Sequence, residues 1–417
     1  MVLFSASQVT ADPGQPDPAV TMAAPIDGPS VAVVEVGWAD IVRLVDRHPQ
    51  LAAGEYQVDA ARGGVDAAGA VPNPTLEGTV GRARPRDGDA GIEWGLALSL
   101  PLDWIAQRGS MIDAAEAEVD VAMAENEALR RDVLLQLRVL FWSLAYEQAS
   151  VASLEALEAH TSALVRTVQR RVEKGEARPV EVTRVEIELE KVASELETAR
   201  ISLSARQAEL ALWLGVPPGK PLVAVADLDA LPAVADRETA LAKARATHPA
   251  LATARARTRS LEAEVDIEHR ARVPSFSLTG FAELELDQRA YGVGLAVDLP
   301  VWNWSSGSIA RAEASLAAGR KQAEAAALDL EATVIQAQAA CHASVATATR
   351  FRNNVVPRSE SAASMMEKTY QLGEVSLFEV IDARRTLLDA HRFYLSALAQ
   401  AQIDCSRLSA LVGEEPK

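Results

Sequence analysis

The chain turns the same corner twice. At Val172 to Glu188, VEKGEARPVEVTRVEIE, a helix stops at Gly175 and a new one begins around Pro179, a residue the first helical turn accepts. At Tyr370 to Leu388, YQLGEVSLFEVIDARRTLL, a helix breaks at Gly373, and Ser376 followed three residues later by Glu379 has the spacing of a capping box. Setting Gly175 on Gly373 gives an offset of 198 and carries Glu176, Glu181 and Val182 onto Glu374, Glu379 and Val380. Other landmarks repeat in the same order. His48-Pro49 and His248-Pro249, like Pro74 and Pro274, match at 200; Leu100-Pro101-Leu102 and Leu299-Pro300-Val301 match at 199; Leu214-Gly215 and Val412-Gly413 match at 198. This is a tandem duplication, with copies at 37–215 and 236–413, a linker at 216–235 and a tail at 414–417. Whatever one copy builds, the other must build too.

Each copy holds alternating stretches and long helical ones. In the first, a helix from Trp38 to about Ala70 carries Ile41, Leu44 and Val45 on one face, with a break at His48-Pro49, and ends at Pro72-Asn73-Pro74. A β-hairpin at 75–102 follows, in which Ile92, Trp94, Leu96, Leu98 and Leu100 alternate with Gly91, Glu93, Gly95, Ala97 and Ser99. The second copy matches it with a helix at 236–272 and a hairpin at 275–301, where Phe276, Leu278, Ala282, Leu284, Leu286, Tyr291, Val293, Leu295, Val297 and Leu299 mark the apolar face. Long helices are expected at 108–172 and 306–372, the second kinked at Pro357, and return helices at 180–214 and 378–412. The first long helix, about 65 residues, would run roughly 97 Å; a return helix of 35 residues and the helix at 236–272 together match that length.

Composition narrows the classes. A formal charge of −17 leaves no basic stripe for nucleic-acid phosphates. Scarce aromatics and abundant alanine suit long, closely packed helices. No apolar run reaches the roughly 18 residues of a membrane-spanning helix. No Ser/His/Asp spacing, phosphate loop or metal-ligand cluster stands out, so no catalytic, cofactor or metal site is expected. His48 and His248 each precede proline and read as helix-break residues rather than ligands. Cys341 and Cys405, far apart in helical stretches, read as small buried residues rather than a ligand pair or a disulfide. Met1 to Val36, rich in Pro, Ala, Gly and Asp, reads as a disordered segment without the charged and apolar parts of a secretory signal or an early cysteine to carry a lipid.

Strands of ten to twelve residues with one apolar face fit two architectures: a half-buried soluble sheet, or the wall of a membrane barrel. Helix lengths decide. Each copy puts its hairpin at one end of a long helical shaft and its glycine corner at the other. Four strands cannot close a barrel, and an open sheet edge cannot sit in hydrocarbon with its backbone groups unsatisfied. Three chains would supply twelve strands. Trp94, Trp104, Trp302 and Trp304 lie in or just beyond the strands, where interfacial aromatics concentrate. The fold class expected is mostly α with a small β part: duplicated helical hairpins and two β-hairpins, trimerising into a twelve-stranded barrel above a helical tunnel.

With GEARPVEV and GEVSLFEVIDA at the corners and LPVWNWSSGSIARAEA after the last strand, the chain resembles the outer-membrane efflux proteins, the TolC-type channels, from about residue 37 to 413. Asn73-Pro74-Thr75-Leu76-Glu77-Gly78 looks more like the cobalt-zinc-cadmium branch than the drug-efflux branch. The resemblance implies a homotrimer in the outer membrane extending into the periplasm, conducting passively, with a periplasmic adaptor and an inner-membrane pump of the RND type as partners. It implies further that the corners form a mouth constricted at rest. Tyr370, Glu379 and Asp382 fall on positions of a gate tyrosine and two inward carboxylates, and Glu181 on a further acidic gate position. In a trimer the carboxylates would make stacked rings that favour cations and raise one another's pKa. Glu379 is equally explained as the cap partner of Ser376. The family's arginine after the corner glycine is replaced here by Val375. Adaptor docking is expected at the tips, Gly175, Glu176, Gly373, Glu374 and Ser376. Two alternatives stay open: the outer-membrane channel of a type I protein secretion system, and a soluble helical scaffold. An enzyme is the reading with least behind it.

Overall fold

A computed structural model describes residues 34–84, 90–216, 220–285, 288–298 and 304–413. The first copy runs β1 (Val34–Val36), α1 (Trp38–Val45), α2 (Pro49–Gly69), β2 (Thr75–Ala83), β3 (Gly91–Pro101), α3 (Trp104–Glu173) and α4 (Pro179–Trp213). The second runs β4 (Leu222–Ala224), α5 (Arg237–Thr247), α6 (Pro249–Arg270), β5 (Ser275–Glu285), β6 (Gln288–Asp298), α7 (Ser306–Arg350), α8 (Val356–Leu372) and α9 (Leu377–Val412). At 70 residues, α3 is roughly 105 Å long.

The two β-hairpins join into one antiparallel sheet, ordered β2-β3-β5-β6, so a strand of one copy pairs with a strand of the other. Register places Val80 beside Trp94, Trp94 beside Leu284, Leu98 beside Gly280, and Gly280 beside Val293. Because side chains alternate along a strand, every apolar position named above for these strands falls on one face. That face is bare: Val80 and Val293 are each 83% exposed. The opposite face carries Thr75, Glu77, Thr79, Glu93, Ser99, Ser277, Thr279 and Glu283, with Thr279 donating to Ser99 Oγ at 3.2 Å.

The helices share no central core. Small apolar clusters follow one another along the shaft. One gathers Ile41, Val45, Leu137, Leu144, Leu210 and Leu222 near the two short strands. Another lies between α7 and α9, and a third at the corners joins Val168 and Val185 to Tyr370 and Val380.

Four expectations need correction. Residues 34–36, assigned to a disordered segment, form β1, which pairs in parallel with β4 inside the expected linker. Three residues are too few to show a period, and the partner strand is distant in sequence. Met1 to Val33, residues 217–219 of the linker and the tail lie outside the described residues. The helix expected at 236–272 is two helices, because proline forces the preceding His248 to extended backbone (φ −74°, ψ 128°). The kink expected at Pro357 is a π-helical turn at Phe351–Val355, where the Val356 amide reaches back to the Phe351 carbonyl and α8 restarts with proline in its first turn. Cys341 and Cys405 are buried, as expected, but form a disulfide. The corner at Gly373 folds α9 back along α7 and brings the two together.

Candidate functional site

Both corners use the same backbone device. Gly175 (φ 75°) and Gly373 (φ 81°) take the left-handed conformation that L side chains avoid. Each donates to the carbonyl three residues back, Val172 at 2.9 Å and Tyr370 at 3.0 Å. The next amides, of Glu176 and Glu374, reach Arg171 at 2.8 Å and Thr369 at 3.1 Å. This paired pattern closes a helix while satisfying its last carbonyls. The following helices start on matching glutamates. Glu181 accepts from the Arg178 amide at 3.4 Å, and Glu379 from the Ser376 amide at 2.7 Å and hydroxyl at 2.9 Å.

Tyr370 is the buried centre of this end, 4% exposed among Leu164, Val168, Val185, Leu377 and Val380. Its hydroxyl donates to Glu181 Oε2 at 3.5 Å, across the two hairpins. Burial pushes that hydroxyl above its ordinary value; Arg171 opposes the shift and Glu181 adds to it, so Tyr370 stays a donor. The Arg171 guanidinium lies 4.5 Å from the Tyr370 ring centroid and donates to the Tyr370 carbonyl at 2.8 Å. Its Nε is 3.8 Å from Glu176.

The four expected gate residues are therefore not one cluster. Tyr370 and Glu181 meet. Glu379 is held by its own cap, and within one subunit the Ser376 amide and hydroxyl lower its carboxyl below the ordinary value. Asp382 lies exposed on α9. Arg171 went unrecognised in the sequence. It stands where Thr369 stands in the second copy, next to Tyr370, so the 198-residue offset could have found it.

The tip residues Gly175, Glu176, Gly373, Glu374 and Ser376 are all exposed, flanked by exposed Val180, Leu372 and Phe378. At the far end, Trp94 stands on the apolar face three residues into β3, near the hairpin turn, and Trp104 and Trp304 stand where the sheet passes into helix. The two rims thus carry tryptophan about one strand length apart. Trp302, Leu286 and Leu299 lie outside the described residues. His48 and His248 are helix caps, each accepting through Nδ1 from the amide two residues on, at 3.3 and 3.2 Å. Among the described residues no group of three His, Cys, Asp or Glu could hold a metal, and no helix is long and apolar enough to cross a membrane.

Comparison with known proteins agrees with this geometry. The family described as "Outer membrane efflux protein" matches residues 41–216 and 240–414, one stretch for each copy. The cobalt-zinc-cadmium resistance protein CzcC of Cupriavidus metallidurans is 28% identical over 368 residues, 87% of this chain and 86% of that protein. Among solved structures, the outer membrane protein VceC of Vibrio cholerae is 18% identical with a TM-score of 0.74, covering 90% of this chain and 96% of that one. CusC is 17% identical with a TM-score of 0.78, covering 91% and 92%. The open state of the MtrE channel of Neisseria gonorrhoeae is 18% identical with a TM-score of 0.74, covering 93% and 94%. At these identities the structures share the fold.

Proposed function

Since the chain belongs to the outer membrane efflux protein family, we propose that three copies close a twelve-stranded barrel and pass cargo through a continuous helical tunnel. The protein is an efflux channel of the outer membrane, and its helical shaft extends into the periplasm. The sheet carries the trimer reading. Its apolar face is exposed, and β2 and β6 are its two edges, each paired on one side only. Lipid can cover such a face, but unpaired edges cannot sit in hydrocarbon, so neighbouring copies must pair β6 with β2. A twelve-stranded ring leaves no edge.

The corners then form the periplasmic mouth, with Tyr370, Glu181, Asp382 and Glu379 as its gate residues. The bare tips at Gly175, Glu176, Gly373, Glu374 and Ser376 receive a periplasmic adaptor. An inner-membrane pump of the RND type supplies energy and cargo. Divalent heavy-metal cations are the cargo favoured by the relationship to CzcC and by the net charge of −17. The test is purification in detergent followed by planar-bilayer recording. A trimer that carries ionic current is expected; a monomer soluble without detergent, or a silent bilayer, overturns the proposal. Loss of cobalt, zinc or cadmium tolerance on gene deletion would assign the cargo.

A further inference from the structure

The apolar face of the sheet ends differently at its two ends. Toward the helices its rows finish on Leu76, Leu100, Phe276 and Val297. Toward the hairpin turns, β2 and β6 finish on arginine instead. Register puts Arg82 beside Ile92, and Arg289 beside Leu284, which is itself beside Trp94. Both arginines therefore stand on the apolar face. Each lies one residue inside the turn end of its strand, and Arg84 follows Arg82 at the next alternate position. All three are exposed, and the exposed rings of Trp94 and Tyr291 lie on the same face close by.

The opposite face at this end is acidic. Glu93 lies beside Gly81, Glu283 beside Gly95, and Glu285 beside Gln288. The sheet itself separates the two signs, and among the described residues no carboxylate pairs with Arg82, Arg84 or Arg289. A long cationic side chain at the edge of an apolar band can simply reach into water. That accounts for its being tolerated, but a guanidinium also offers a planar fork that grips phosphate oxygens two at a time. Geometry across copies adds to this. Within one chain β2 and β6 are the two edges of the sheet, three strand spacings or about 14 Å apart. Pairing β6 with β2 of the next copy makes them adjacent strands.

We propose that Arg289 of one copy and Arg82 of the next form, at each seam of the barrel, a clamp for a phosphate of the outer-leaflet glycolipid. It rests on the reading of three copies as a closed barrel. With the helical shaft in the periplasm, the hairpin turns meet the outer leaflet, which in such membranes is built of glycolipid carrying phosphates on its sugars. Positive charge on the lipid-facing side and only there matches that anion. Trp94 and Tyr291 supply amphipathic rings at the level where sugar gives way to acyl chain. A single chain holds both halves of the clamp on opposite edges, so assembly completes the site.

The test titrates the detergent-solubilised wild-type trimer with diphosphorylated lipid A, or with the same lipid stripped of its phosphates, and follows trimer melting. The phosphorylated lipid alone should raise the melting temperature. Arg82→Gln and Arg289→Gln should each weaken the apparent affinity roughly 10- to 100-fold, the loss of one charge-assisted hydrogen bond, and leave melting without lipid unchanged. Equal shifts of the wild type by the two lipids overturn the clamp and need no variant. So does a variant trimer that binds the phosphorylated lipid as tightly as wild type. That is the result expected if Asp87, Asp89 and Asp287 of the turns, outside the described residues, were the arginines' partners. An equal shift by phosphatidylglycerol would make this a general anionic surface and remove the glycolipid assignment. A wild-type chain that forms no trimer removes the barrel reading itself.

Discussion

Cys341 and Cys405 meet because the corner at Gly373 lies midway along their 64-residue separation. Two antiparallel helices rise equally per residue, so positions equidistant from a tight turn face each other. A bond formed this way persists in oxidising compartments, and the periplasm is one. The first copy has Ser143 and Gln207 at the corresponding positions, so only the second hairpin is cross-linked there.

Replacing both cysteines with serine should destabilise the second hairpin by about 2–4 kcal/mol, since the chain-entropy term grows with the loop a disulfide closes. Chemical denaturation of the purified protein is the measurement. Reductant should lower the midpoint of the parent and leave the double variant unmoved. Equal midpoints for parent and variant would mean that packing between α7 and α9 holds this region unaided.

Arg171 and the Tyr370 hydroxyl make unequal contributions to the packing of the corners, the end proposed as the mouth. The hydroxyl bond to Glu181 is long, at 3.5 Å, so Tyr370→Phe should cost under about 1 kcal/mol and change conductance little. Arg171→Ala removes a 2.8 Å charged hydrogen bond to a helix-end carbonyl together with a cation–ring contact, for about 2–3 kcal/mol. Closed-state leak should therefore follow Arg171→Ala. A larger leak from Tyr370→Phe would reverse that ranking.

What could be read from the sequence follows from the length scale of each interaction. Alternation through Gly91–Pro101 and the glycine–glutamate corner are local, and local physics fixes them, so strands and turns were readable. The capping box at Ser376 and Glu379 is a three-residue event and was equally plain. The disulfide, the Arg171–Tyr370 stack and the strand at Val34–Val36 join residues far apart, and no local period announces them. Yet the duplication carried part of that missing information. Arg171 and Tyr370 are 199 residues apart, and the ion pairs Glu188–Arg385 and Glu195–Arg392 each join residues 197 apart, close to the repeat offset itself. Equivalent segments of the two copies lie side by side, so the offset predicts long-range neighbours.

His248 makes the start of α6 sensitive to acid. Its Nδ1 accepts from the Ala250 amide, which only a neutral ring nitrogen can do. Burial, with Arg131 nearby, lowers its pKa below the ordinary 6.5. The unfolded chain thus binds the proton more readily than the folded one. The cap's contribution is complete above about pH 6.5, declines as pH falls from there to the folded value, and is flat below it. His248→Ser keeps a cap without a titrating ring. Melting temperature measured between pH 8 and 5 should fall more steeply for the parent than for the variant. Parallel curves would show that the ring does not titrate in this window.

Val293 and Thr279 put the barrel to a direct test, because they lie at neighbouring heights on opposite faces of the sheet. Val293 sits opposite Gly280 in the middle of β6, on the bare apolar face, and Thr279 is on the polar face beside Ser99. An arginine at a lipid-facing midplane position costs about 2–4 kcal/mol, whereas one on the water-filled side costs little. Val293→Arg should therefore sharply reduce the detergent-extracted trimer recovered from outer membranes. Thr279→Arg should assemble normally and shift ion preference away from cations, because it places positive charge among Glu77, Glu93 and Glu283 on the polar face. If both faces tolerated arginine equally, neither would be in lipid. If Thr279→Arg alone failed to assemble, the assignment of the two faces would be inverted.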